Sequence, residues 1–185
     1  MMKPPPAPRI QVKSILLPVL ILAVLAMQLI EPYKGWMILF VGLGLVWLIS
    51  FLWARSLARC LRVVREMRFG WAQVGDQLEE RFTLVNTGWF PALWVEVQDR
   101  SDMPGYQASR VTGVDGNSLN SWHTASACKR RGLFTLGPTD LRSGDPFGIF
   151  TVSLHDPAST TLMVMPPILP LPSIDGAPGG STGTA

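Results

Sequence analysis

Two long uncharged runs dominate the pattern of apolar and polar positions. Residues 15–30 read ILLPVLILAVLAMQLI and residues 36–53 read WMILFVGLGLVWLISFLW, with EPYKG between them. As a helix the second run extends about 27 Å, close to the thickness of a bilayer core. The first reaches that length only if residues 12–14 or 31–33 enter the interface. A secretory signal is one rival for the first run, because Lys3, Arg9 and Lys13 precede it. Against that, no small-x-small cleavage site follows and a second apolar run arrives at once. Buried core helices are the other rival. Apolarity on every side, with Trp36, Trp47 and Trp53 near the ends, favours a transmembrane hairpin.

Beyond residue 54 the pattern changes. Residues 54–65 can continue the helix, with Arg55, Arg59 and Arg62 on a shared side reaching lipid headgroups. Short segments of strand type then follow at 63–69, 78–85, 93–98, 106–111, 119–125, 133–136, 139–142, 149–154 and 161–165. Gly, Pro, Asn and Asp separate them. In LEERFTLV, Leu78, Phe82 and Leu84 share one side, and Glu80 interrupts that side. Short strands at this spacing predict an all-β fold, an immunoglobulin-like β-sandwich. The expected organisation is a disordered lead over 1–11, a two-helix transmembrane hairpin over 12–56 and a β-sandwich domain over 57–167. A Pro/Gly-rich linker or tail over 168–185 ends it.

Charge sets the expected orientation. Lys3, Arg9 and Lys13 precede the first run, and Arg55, Arg59, Arg62, Arg65 and Arg68 follow the second, with only Lys34 between. Both termini and the β-domain should face the cytoplasm of a cell whose plasma membrane the hairpin crosses. Cys60 and Cys128 would then be free thiols. The overall charge of +3 hides a division. Residues 1–69 hold nine Lys/Arg against Glu31 and Glu66, whereas residues 70–185 hold seven against eleven Asp/Glu. The lipid bilayer is therefore the expected partner of the basic part. The acidic β-domain argues against nucleic acid.

Candidate chemistry is sparse. His123 and His155 have no sequence partner suited to a metal or a proton relay, and His123 beside Trp122 reads as a partly buried strand residue. Two lone cysteines 68 positions apart lack zinc-site spacing. Cys60 reads as a packing residue near the membrane, with palmitoylation the alternative. Gly42 and Gly44 lie within an apolar span, where small residues allow close helix contact. Asp99 and Asp102 flank a turn and can cap amides. The expectation is no enzyme and no cofactor. KRRG (129–132) reads as a solvated strand entry, with contact to a partner or to lipid as the alternative. Trp89, Phe90 and Trp94 are the first candidates for a contact patch, although a core position is expected for Trp94. In RSGDPFGIF (142–150), Gly144 supplies backbone freedom, Asp145 accepts amide hydrogen bonds and Pro146 fixes φ. Phe147, Ile149 and Phe150 anchor the next strand, with Gly148 allowing a bulge or close approach. Arg142 and Asp145 read as a local ion pair.

The order of these parts resembles the N-terminal half of a bacterial family, domain of unknown function fifty-eight. Two close spans and an Arg-rich exit lead to a Val74–Gly75–Asp76 turn, a strand ending in Asn86 and one ending in Asp99. KRRGLFTLGP (129–138), GDPFGIF (144–150) and a closing Val164-Met165-Pro166 complete the match. Its motif positions are Arg131, Gly132, Gly137, Pro138, Gly144, Asp145, Pro146, Phe147, Gly148 and Phe150. The resemblance implies a membrane-anchored cytoplasmic β-domain, working with MoxR-type AAA ATPases and transglutaminase-like membrane proteins as an assembly or chaperone-like module. Family members continue into a von Willebrand factor A-like half with an Arg-x-Tyr-x-x-Gly-Asp…Trp motif. This sequence stops before either, so a fragment whose activity or metal-dependent binding lies in that half is the alternative. An extracytoplasmic envelope protein is a third, if the charge rule misleads.

Overall fold

The computed structural model describes residues 7–67 and 69–167. The first six residues of the expected lead, Arg68 and the 168–185 tail lie outside the described residues. The described residues form two helices and eleven strands, so the fold is mostly β. Strand β1 (Arg9–Val12) precedes helices α1 (Leu16–Ile30) and α2 (Lys34–Cys60). There follow β2 (Leu61–Met67), β3 (Trp71–Gln73), β4 (Gln77–Asn86), β5 (Ala92–Asp99), β6 (Arg110–Val114) and β7 (Ser118–Ala127). The last are β8 (Gly132–Leu136), β9 (Thr139–Gly144), β10 (Phe150–Asp156) and β11 (Thr160–Met165).

Three sheets result, in the orders β1-β10-β9-β5-β6, β2-β4-β7 and β3-β11-β8. Among the described residues only the β3–β11 pairing is parallel. The inner faces of the first two sheets share a core, a sandwich-like arrangement. Val95, Val97, Leu141 and Val152 come from one side, and Val63, Phe82, Leu84 and Trp122 from the other. A second, smaller core joins Leu78, Met103, Cys128, Leu136, Leu162 and Val164 beneath the β3-β11-β8 sheet. Strand β4 serves both, because Leu78, Glu80, Phe82, Leu84 and Asn86 alternate onto its buried face.

The N-terminal region departs from expectation in two ways, at β1 and at the end of α2. Arg9–Val12 is not part of an unstructured lead: it pairs antiparallel with β10, from Arg9 opposite Ser153 to Val12 opposite Phe150. The apolar and β-branched residues Ile10 and Val12 suit that edge position, and a Pro-rich composition concealed them. Helix α1 begins at Leu16, and its Pro18 falls in the first turn, where the missing N–H costs nothing. Helix α2 runs 27 residues and passes directly into β2, so Leu61 and Arg62, expected to extend the helix, belong to a strand. The helix stops there because β2 takes up a ladder with β4, starting at Leu61 opposite Asn86. Among the described residues, α2 is long and apolar enough to cross a membrane, whereas α1 has 15 residues.

The end of α2 is built into the β-domain. Ala54, Leu57 and Ala58 are part of the main core. Trp47 and Phe51 stack on each other and meet Phe150, each at a centroid distance of 5.9 Å from that ring. The indole N–H of Trp53 donates to the carbonyl of Pro91 at 3.0 Å. Two of the tryptophans read as interface anchors thus face the β-domain. Nor do Gly42 and Gly44 hold a second helix close, since a Cβ at either would meet nothing within 4 Å.

Candidate functional site

Three regions stand out: a charged cluster between the two cores, the junction of helix and sheet, and an exposed apolar row at the opposite end. The cluster begins with the alternation of β4, which turns Glu80 inward between Leu78 and Phe82. Glu80 is 1% exposed. Arg65, on the neighbouring β2, also points inward. Its Nη2 lies 2.7 Å from Asp99 Oδ1 and its Nε 3.4 Å from Glu80 Oε1, the latter without hydrogen-bond geometry. Nη2 also donates to the Tyr106 hydroxyl at 3.0 Å, and the guanidinium sits over the Phe82 ring. Tyr106 donates to Glu80, and Ser101 to Asp99.

Burial pushes the Glu80 carboxyl up to about 7, with Arg65 opposing the shift and Asp99 adding to it. Glu80 therefore holds its proton over much of the range in which an exposed glutamate has lost it. Two motif positions meet this cluster. The Gly137 amide donates to Ser101 Oγ at 3.0 Å, and Pro138 supplies the carbonyl that accepts from the Arg100 amide. Asp102 caps the Thr135 amide at 2.6 Å. The cluster is enclosed and holds the seam between two cores together. Its signal in the sequence was Glu80 on an otherwise apolar side, which read as an irregularity.

The GDPFG positions lie at the other end of β9, beside α2. Asp145 is 2% exposed, and its carboxylate accepts from the amides of Phe147 at 3.0 Å and Phe150 at 2.6 Å. Arg142 does not pair with it. Strand alternation turns Arg142 outward, in register with Glu96 on β5. Gly144 is required by close approach and not by an unusual φ: a Cβ there would lie 2.7 Å from the Phe150 carbonyl oxygen. Gly148 has φ of +69° and open space around it, so it closes a turn from Asp145 to Gly148 and makes no bulge. Pro146 occupies that turn, and Phe147 is exposed.

Asn86, fully buried, organises the adjoining loop. Its Nδ2 donates to the carbonyls of Phe90 and Asp115, and its Oδ1 accepts from the Gly88 amide. Phe90 lies 4.7 Å from the Trp53 ring. Trp89 is 93% exposed. Trp94 is exposed as well and not in the core, because alternation from the inward Val95 and Val97 puts it on the outer face with Glu96; the irregular register before Val95 turns Leu93 outward too. His123 is likewise exposed, opposite Arg81 in the register.

Arg131 and Gly132 sit at the far end, with the exposed KRRG residues near the start of β4. There an apolar row crosses the β3-β11-β8 sheet: Trp71 opposite Met163, and Met163 opposite Leu133, all exposed. Phe69 packs on Trp71. Sequence reasoning missed this row, because β3 has three residues and too little pattern to register. His155 Nδ1 lies 2.5 Å from Asp140 Oδ1, and Arg100 Nη2 lies 2.6 Å from Asp140 Oδ2, an open surface network. Among the described residues no group of three or more His, Cys, Asp or Glu side chains is placed to hold a metal ion. Both cysteines are free, and burial with Asp76 nearby pushes the Cys128 thiol up.

No protein-family model matches the chain, and no curated protein does. Solved structures give low-scoring likenesses. The CARDB domain of the PF1109 protein from Pyrococcus furiosus, crystallised with di-metal ions, is 8% identical with a TM-score of 0.41. The match covers 58% of this chain and 96% of that one. A β-glucosidase from Listeria innocua in complex with glucose reaches 0.38 at 8% identity, over 59% of this chain and 17% of that one. The DNA glycosylase AlkC of Pseudomonas fluorescens, bound to DNA with an abasic site analogue, reaches 0.39 at 12% identity, over 80% and 42%. At these scores none bears on function.

Proposed function

We propose that this chain is a membrane-anchored, non-catalytic interaction or assembly module. In this reading α1 and α2 form the anchor, and an immunoglobulin-like sandwich with both termini lies on the cytoplasmic side. The resemblance to the domain of unknown function fifty-eight family names the partner class: a MoxR-type AAA ATPase, with transglutaminase-like membrane proteins as further associates. The observation that supports the reading best is the row of Trp71, Met163 and Leu133. It lies at the end of β4 away from α2, on a sheet whose edge strands are β3 and β8. Contiguous exposed apolar surface of this kind marks contact sites, and an open edge adds main-chain pairing. The polar groups of the interior are spent on holding the fold.

The test is affinity purification of the full chain from native membranes. The expected result is an AAA ATPase of MoxR type co-purifying with the native chain and lost from a Trp71→Ser, Leu133→Glu double variant that remains in the membrane. Equal recovery with both chains, or recovery with neither, would contradict the proposal.

A further inference from the structure

The exposed apolar surface of α2 runs from Met37 to Leu52, about 23 Å at the helical rise, and α1 contributes about the same. Trp36 and Trp53 extend the uncharged stretch of α2 to about 27 Å, so a hydrocarbon core of about 30 Å brings the last turns of the span, and what packs on them, to the interface. The β-domain does not wait below this surface. Phe150 packs against Trp47 and Phe51, level with Leu48, Ile49 and Leu52, whose exposed sides face away from it. Phe90 and Pro91 meet Trp53, the residue after Leu52, and Phe150 meets Phe51, the one before it, so lipid covering Leu52 borders the 87–91 loop and the Asp145–Gly148 turn.

Both loops present aromatic side chains at that level. Phe147 is 58% exposed at the tip of a turn whose neighbour Ile149 accepts from the amides of Lys13 and Ser14, where the chain enters α1. Trp89 is the most exposed large apolar residue of the β-domain. Its loop is clamped to the last turns of α2: the Thr87 amide donates to the Cys60 carbonyl, and a Cβ on Gly88 would lie 2.7 Å from Ser56 Oγ. Leu93 and Trp94 continue the exposed surface into β5. Lys13, beside the turn, and Arg55 and Arg59, in the two turns of α2 after Leu52, are exposed cations for phosphate headgroups.

We propose that the helix-proximal end of the β-domain is itself a lipid-docking surface, with Trp89 and Phe147 seated in the bilayer interface on either side of the hairpin. The occupant is the membrane that holds the helices, because the patch is continuous with their apolar surface. Aromatic residues partition to this interfacial layer, and two anchors on opposite loops would fix the tilt of the domain. The distal row is thereby held away from the membrane by the ten-residue β4, whose ends lie about 30 Å apart.

The inference rests on the membrane reading, and the test separates the two. Single cysteines are placed at Leu45, midway along the exposed apolar surface of α2, and at Trp89, Phe147 and Lys129 in a Cys60→Ser, Cys128→Ala background and labelled with an environment-sensitive fluorophore. The full chain is reconstituted into vesicles of phosphatidylcholine and phosphatidylglycerol containing lipids with shallow or deep quenchers. The expected result is loss of emission at Trp89→Cys and Phe147→Cys with the shallow quencher, at Leu45→Cys with the deep one, and at Lys129→Cys with neither. Quenching at Leu45→Cys alone would overturn the docking surface and leave the anchor standing. Quenching at no position would overturn both.

Discussion

Asp145 shows how one side chain closes a turn. Its two oxygens satisfy two amides that would otherwise be buried without partners, and Gly144 beside it leaves no room for a Cβ. Gly144→Ala forces the Phe150 carbonyl to move, and Asp145→Ala strands the two amides. Each should cost about 1–3 kcal/mol. Denaturant unfolding of the full chain in detergent measures this, and unchanged midpoints in both variants would contradict the turn's role. Glu80 gives a pH signature. Its ordinary value is 4.5 and its folded value about 7. Between these the unfolded chain ionises while the folded chain keeps the proton. Glu80 therefore contributes stability that is fully present below pH 4.5 and is lost as pH rises through about 7. In Glu80→Gln the part of the pH slope lying in this window should vanish; a slope identical to that of the native chain would show that Glu80 is not its source.

At the scale of elements, α2 matters more than its composition implies. It enters the β-domain, and Leu57 is fully buried in the main core. Leu57→Ala should cost about 2–5 kcal/mol and loosen helix from sheet together. Hydrogen exchange would report this as lost protection in β2 and the 87–91 loop; loss confined to α2 would mean that the helix is a tether only. Long, alternating strands were legible in the sequence, β4 and β5 nearly to their ends. What was hidden depended on partners distant in the chain. Arg9–Val12 is a strand only because β10 has an open edge, and Trp71–Gln73 only because β11 runs beside it. Glu80 and Arg65 were visible as charges, but nothing local says that they meet inside. In LWVEVQ, Trp94 shares a side with Glu96 and Gln98, opposite Val95 and Val97, so alternation alone puts it outside. Nothing local decides Trp89, which a loop against α2 leaves exposed.

At the scale of the molecule, two apolar surfaces lie at opposite ends of one β-domain, with a charged seam between two cores. That separation makes sense of an anchor at one end and a partner at the other. It also explains why the motif residues scatter: Gly137 and Pro138 serve the seam, and Gly144 to Phe150 serve the helix junction. The division depends on α1 and α2 residing in a bilayer. Alkaline carbonate extraction of membranes from cells expressing the full chain tests this most directly. The chain should remain in the membrane pellet with integral proteins; its release into the supernatant with peripheral proteins would contradict the anchor and the assignment of both surfaces.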